Sequence, residues 1–326
     1  MRRTVWDPVN RVSLVLSITA VAACSSGENA TADTTAKAGD SAAAAPALFA
    51  SAGAATDSLK TPESVRYDAD LDAYFVSNIN GNPSQKDGNG FIVRVDAGNT
   101  AAATMFVQGG KGGVTLNAPK GMAIVGDTLW VADIDAMRAF NKRTGAVIAN
   151  IDLRRMKAEF LNDVAVGPDG SIYVTDTGVR FDASGAMSHP GKDQILKITG
   201  RTPSLAFTSD SALAAPNGIA WDAANARFVL GPFNAQVVSA WKAGDSTVAP
   251  IGTGPGGYDG VEVLGDGRIL VTSWADSAVH VIANGAFRKV IGNVEAPADI
   301  GVDTKRNVVA VPRFNSGRVE YFNIAP

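Results

Sequence analysis

The stretch NDVAVGPDGSIYVTD, residues 162–176, decides the fold. Val164-Ala165-Val166 and Ile172-Tyr173-Val174 are strand-type runs, and Pro168-Asp169-Gly170 between them has the composition of a tight hairpin. The same grammar recurs five more times: a small or polar lead, a strand, a turn, and a second β-branched or aromatic strand. The other copies begin at Pro62 (PESVRYDADLDAYFVSN), Pro119 (PKGMAIVGDTLWVAD), Pro216 (PNGIAWDAANARFVLG), Asp259 (DGVEVLGDGRILVTS) and Ala298 (ADIGVDTKRNVVAVP). Aligned on Glu63, Lys120, Asn162, Asn217, Asp259 and Asp299, the copies are spaced by 57, 42, 55, 42 and 40 residues, near the length of one propeller blade.

A third strand follows the pair, as at Gly90 to Val95, Gln194 to Ile198 and Val279 to Ile282. A fourth apolar stretch precedes the next lead, as at Met105 to Val107, Val147 to Ile151, Leu205 to Phe207 and Lys289 to Ile291. Six units of four strands predict an all-β, six-bladed β-propeller over residues 46–326. The last unit runs out after its third strand at Val319 to Phe322, whereas Ala47-Leu48-Phe49-Ala50 stands spare before the first. That piece is expected to supply the outer strand of the last blade and so close the ring.

Composition narrows the function. Lys and Arg number 29 against 32 Asp and Glu, a net charge of −3 that argues against nucleic acid, whose phosphates call for a basic face. No apolar run approaches the ~20 residues of a membrane-spanning helix. A single cysteine excludes an intramolecular disulfide, and two histidines leave little room for an imidazole-rich metal site. Arg2, Arg3 and Arg11 precede the apolar stretch Val12 to Ala23, which ends in Val21-Ala22-Ala23-Cys24. The pattern is similar to a bacterial lipoprotein signal, with residues 1–23 removed and Cys24 lipidated. Ser25 rather than Asp after it implies the outer membrane of the cell envelope. Residues 24–45 are mostly Ala, Ser, Thr, Gly and Asp without apolar periodicity, a flexible tether. A monomer is expected.

In a propeller the six leads start the innermost strands and converge on one mouth of the central channel. The long polar loops Asn78 to Asn89 and Thr177 to Asp193 return to the same mouth as candidate lids. Glu63, Asn162, Asn217 and Asp259 would project toward one point, an all-oxygen set of two carboxylates and two amides that suits a hard divalent cation. Ca²⁺ fits first, with Mg²⁺ or Mn²⁺ as alternatives. Two carboxylates aimed into a narrow channel would otherwise repel and be desolvated.

With Asn162-Asp163 before a GPDG turn, Pro216-Asn217-Gly218-Ile219-Ala220-Trp221 and Asp259-Gly260, residues 47–326 resemble the regucalcin/gluconolactonase family of six-bladed propellers. The resemblance implies a central metal held by Glu63, Asn162, Asn217 and Asp259. It implies a small lactone or ester as substrate, with the cation acting as Lewis acid on a carbonyl or phosphoryl oxygen. Asp259 is then the candidate to orient or deprotonate water, or to attack directly, and Asp299 a second acid–base group or an orienter of the first. The chain departs from the family at Pro62-Glu63-Ser64, where Glu-Gly-Pro or Glu-x-Pro is usual. Phe160 stands where family lactonases often carry an Arg that holds substrate oxygen, and Lys120 is expected to supply a cation there instead. Asp133 and Asp176 end second strands near the mouth, as strand-ending or supporting groups. The alternative to a hydrolase is a non-enzymatic lipoprotein propeller that binds a partner or envelope polymer through its rim.

Overall fold

A computed structural model describes residues 48–326. The proposed signal, Cys24, the tether and Ala47 lie outside the described residues. Six four-stranded antiparallel sheets follow one another in the chain. Their innermost strands are Pro62–Asp68, Pro119–Val125, Leu161–Val166, Pro216–Asp222, Tyr258–Val263 and the short Gly301–Asp303. The fold is the six-bladed β-propeller that the repeat predicts. Sequence reading overlooked one outer strand, Ala249–Thr253 of blade four, whose Pro and Gly disguise the alternation.

Ring closure follows the expected route, with the strand shifted: among the described residues of Ala47–Ala50 only Ala50 pairs, and Ser51 continues the strand. Ala50–Ser51 pairs with the last strand of blade six, Ala50 opposite Asn323 and Ser51 opposite Phe322. Phe49, 6% exposed, anchors this piece by packing under blades five and six and donating its N–H to the Val290 carbonyl at 3.0 Å. The hydrophobic core is not one mass but six seams, each filled by the facing sides of two adjacent blades. Phe75 of blade one meets Met122 and Val131 of blade two, and Val65 and Tyr74 of blade one meet Tyr321 of blade six across the closure. Each seam buries aliphatic side chains from second and third strands, which is why those strands read as near-continuous apolar runs.

The innermost strands lie so close to one another that side chains are trimmed where they pass. A Cβ on Gly218 would stand 2.2 Å from the Asp259 carbonyl oxygen, and one on Gly260 2.5 Å from the Ile300 nitrogen. Glycine there is a packing requirement that brings the leads of neighbouring blades together.

Candidate active site at the hub

Five of the six innermost strands break register at their first turn of pairing, between Pro62 and Val65, Pro119 and Met122, Leu161 and Val164, Pro216 and Gly218, and Tyr258 and Val261. These are β-bulges, and the lead residue lies in each. A bulge adds a residue to one strand, re-aims its side chains and leaves a backbone N–H without a ladder partner. In three blades a second-strand hydroxyl takes that N–H: Ser64 N–H donates to Ser77 Oγ (2.9 Å), Asp163 to Thr175 Oγ1 (2.9 Å) and Gly260 to Thr272 Oγ1 (2.7 Å). The same threonines reach the next blade, Thr175 donating to the Asn217 carbonyl at 2.6 Å and Thr272 to that of Ala298 at 3.2 Å.

That correspondence corrects one alignment. Asn217 is a lead, so its counterpart in blade six is Ala298. Pro297 likewise bridges Arg313 as Pro62 pairs with Asn78. Asp299 sits one residue further on, in the position of Ser64 and Asp163. It remains in the hub, where it accepts a hydrogen bond from Ser64 Oγ and lies 3.4 Å from Arg66 Nη2.

Glu63, Lys120, Asn162, Asn217 and Asp259 are all buried at the hub. Burial, then the charges of Asp259 and Asp299, push the Glu63 carboxyl well above its ordinary range, with Lys120 opposing. Asp259 is raised by burial and by Asp299, against the hydrogen bond from Trp274. Trp274 Nε1 donates to Asp259 Oδ2 at 2.9 Å. Neither carboxylate has an ion-pair partner among the described residues, and Glu63 Oε2 and Asp259 Oδ1 are buried with no hydrogen-bond partner. Asn162 spends its amide N–H on Thr177 Oγ1 (3.0 Å), which leaves its carbonyl oxygen free of that bond.

One layer below, the situation reverses. Arg66 of blade one pairs with Glu262 of blade five, and its guanidinium also flanks Asp299 and Asp163. Asp163 accepts N–H bonds from Val164 (2.6 Å) and Ile219 (2.8 Å), so it ties blade three to blade four. Burial raises Glu262 to about 7 despite Arg66. Across both layers five carboxylates meet two cations, Arg66 and Lys120, a formal charge of −3 were all ionised. This surplus and the unpartnered oxygens fit a divalent cation held by Glu63, Asn162, Asn217 and Asp259. Among the described residues no three His, Cys, Asp or Glu form a metal-binding group; the set here is two carboxylates and two amides.

Above the leads lies an apolar collar that sequence reading missed. The residue following each second strand is Ile79, Ile134, Thr177, Phe233, Trp274 or Phe314. Phe233, Trp274 and Phe314 form a continuous arc with ring centroids 5.8 and 5.4 Å apart. Phe314 continues across the mouth onto Ile79, Ala118 and Ile134. The signal was visible in the aligned strand ends, YFVSN-I, WVAD-I, YVTD-T, VLGP-F, LVTS-W and VPR-F.

Lys120 and Phe160 are neighbours, with the ammonium 4.0 Å from the ring centroid, a cation–π contact. Lys120 Nζ also donates to the Ala118 and Pro83 carbonyls, both at 3.2 Å, and burial lowers its pKa to about 8. Pro83 belongs to the first lid loop, which meets the second where Asn82 Nδ2 donates to the Asp182 carbonyl (2.6 Å) and Phe181 N–H to Ser84 Oγ (3.0 Å). Asp133 and Asp176 hold the chain leading into their own blades by accepting N–H bonds, from Asn117 and Ala118 and from Phe160 and Gly178. A cavity of about 580 Å³ opens beside the collar, between Asn80 and Phe314.

The sequence profile of the SMP-30/gluconolactonase/LRE-like region matches residues 61–302. No curated protein matches the chain. Among solved structures, a luciferin-regenerating enzyme superposes with a TM-score of 0.63 at 12% identity, over 86% of this chain and 95% of its own. A calcium-binding regucalcin from Agrobacterium tumefaciens gives 0.61 at 14% identity, over 86% and 96%. At such identities the likeness is one of fold.

Proposed function

The chain belongs to the SMP-30/gluconolactonase/LRE-like family, and from that premise we propose that it is a metal-dependent hydrolase of lactones or small esters. One observation carries the reading: two carboxylates from different blades, Glu63 and Asp259, are buried together with an unpartnered oxygen each and, among the described residues, no ion-pair partner. Burial keeps such a pair only where a cation or bound protons offset its charge, and the four oxygen donors gathered at the hub favour the cation. Glu63, Asn162, Asn217 and Asp259 would hold a divalent cation, which supplies Lewis-acid polarisation of the carbonyl oxygen when bound.

The chain's own residues do the rest. Asp259 Oδ2 is fixed by the Trp274 indole, so the carboxylate is oriented before substrate arrives. It takes a proton from water as the water oxygen bonds to the carbonyl carbon. The carbon–oxygen bond of the ester then breaks, the proton passes to the departing alkoxide, and a hydroxy acid or an acid and an alcohol leave. Of the two roles open to Asp299, its bonds to Ser64 and Arg66 favour orienting the hub over proton transfer. Lys120, its pKa lowered to about 8 by burial, faces the site beside Phe160 and is suited to a polarised substrate oxygen. Lipidation at Cys24 would place this activity on the cell envelope as a monomer; mass spectrometry of the mature N-terminus tests that.

The test is thermal melting after chelation, then with Ca²⁺, Mg²⁺ or Mn²⁺. We expect a rise of several degrees with the bound ion and hydrolysis restored by the same ion. No stabilisation by any of the three overturns the metal reading. A rim-binding lipoprotein is favoured only by Met105, Val147 and Leu205, exposed at 53, 41 and 49% on the outer strands of blades one to three. Ion binding without turnover of any lactone or aryl ester would support it.

A further inference from the structure

The collar carries information about what enters. A site for a polyhydroxylated sugar lactone would need several donors and acceptors around its mouth, because each ring hydroxyl taken from water must be bonded again. Here five of the six residues that follow the second strands are Ile79, Ile134, Phe233, Trp274 and Phe314. The sixth, Thr177, is occupied with the Asn162 amide and the Pro216 carbonyl. Two polar lid residues, Asn82 and Ser84, bond the opposite lid. Where family lactonases carry an Arg for substrate oxygen, Phe160 supplies an apolar ring in contact with Phe181 at 5.8 Å.

The arc is also wired to the candidate chemistry. Trp274 bonds Asp259 with its indole N–H and presents its ring between Phe233 and Phe314, all three only partly buried. A group lying along these rings would have its reacting carbonyl beside Asp259 and its far end at Phe314. We infer that the substrate is a lactone or ester bearing an apolar arm, aromatic or aliphatic, that packs on the Phe233–Trp274–Phe314 arc, and not a sugar-acid lactone. This rests on the hydrolase reading and refines it.

The test compares the metal-loaded protein on γ-phenyl-γ-butyrolactone and on glucono-δ-lactone. It uses the wild type and Phe314→Ser, a variant that leaves Trp274 and Asp259 in place. Calorimetric titration with the lactam analogue of γ-phenyl-γ-butyrolactone, which is not hydrolysed, supplies a second readout. We expect kcat/KM to favour the phenyl lactone by about 10- to 100-fold, from the area of one buried ring. Phe314→Ser should raise KM for it with little change in kcat, and weaken the lactam about tenfold while leaving the melting shift with cation intact. Faster turnover of glucono-δ-lactone, or lactam binding indifferent to Phe314, overturns the inference and leaves the hydrolase reading standing. Lactam binding that depends on Phe314 with no turnover of either lactone supports the arc and removes the hydrolase instead.

Discussion

Two layers of the same channel, built from the same two blades, handle charge in opposite ways. In the lower layer Arg66 meets Glu262 and also reaches Asp163 and Asp299, so the carboxylates share a guanidinium. In the upper layer Glu63 and Asp259 face the hub without a cation side chain at ion-pair distance. Blade one could have placed its arginine at either level. The pairing below shows that this ring can bring a cation of its own within ion-pair distance of its acids, and the acids above, which have none at that distance, are where the proposed ion fits.

The sharpest way to break this contrast is to remove charge from the upper layer. Asp259→Asn should lower kcat by about 10³-fold or more, with a melting temperature in chelator equal to or above the wild type's, because a repelling charge is gone. A loss of stability instead would mean that Asp259 is paired structurally. In the lower layer the order inverts. Arg66→Met strands the buried Asp163 and Asp299 and the partly buried Glu262, and should cost about 3–5 kcal/mol in chemical denaturation, with or without added cation.

A smaller effect sharpens the comparison through pH. Glu63 and Asp259 have folded pKa values raised by burial and by acidic neighbours, so the fold holds protons that the unfolded chain has released. Their contribution is present below the unfolded carboxylate range and is lost as pH rises through it toward the folded values. The chelated protein should therefore melt higher at about pH 5 than at about pH 8, and saturating cation should reverse that order, since binding releases the protons. A chelated protein whose melting temperature rises over this interval would show the two carboxylates to be ionised and satisfied from within.

How much of this was legible depends on which residues one follows. The blades were readable because strand alternation and GPDG-type turns are local, and four leads stood out because acid and amide side chains are out of place at the start of a buried strand. Arg66 and Glu262 were not readable. Strict period two points a residue three beyond the lead to the opposite face, and only the bulge returns it to the channel. The same bulge explains Asp299, since an acidic residue was matched to acidic leads whereas hydrogen-bond register gives that place to Ala298. The collar escaped because each member reads alone as the last apolar residue of a strand. Only superposing the six copies makes it a ring.

The closure has a mechanical meaning. The ring is shut by the rungs Ala50 on Asn323 and Ser51 on Phe322 and by the Thr56–Val319 bridge, with Phe49 gripping the neighbouring blade as a cleat. Residues 48–51 enter the wheel at that clasp, so loosening it would be felt first by blades five and six, the pair that presents Asp259 and Asp299 to the axle.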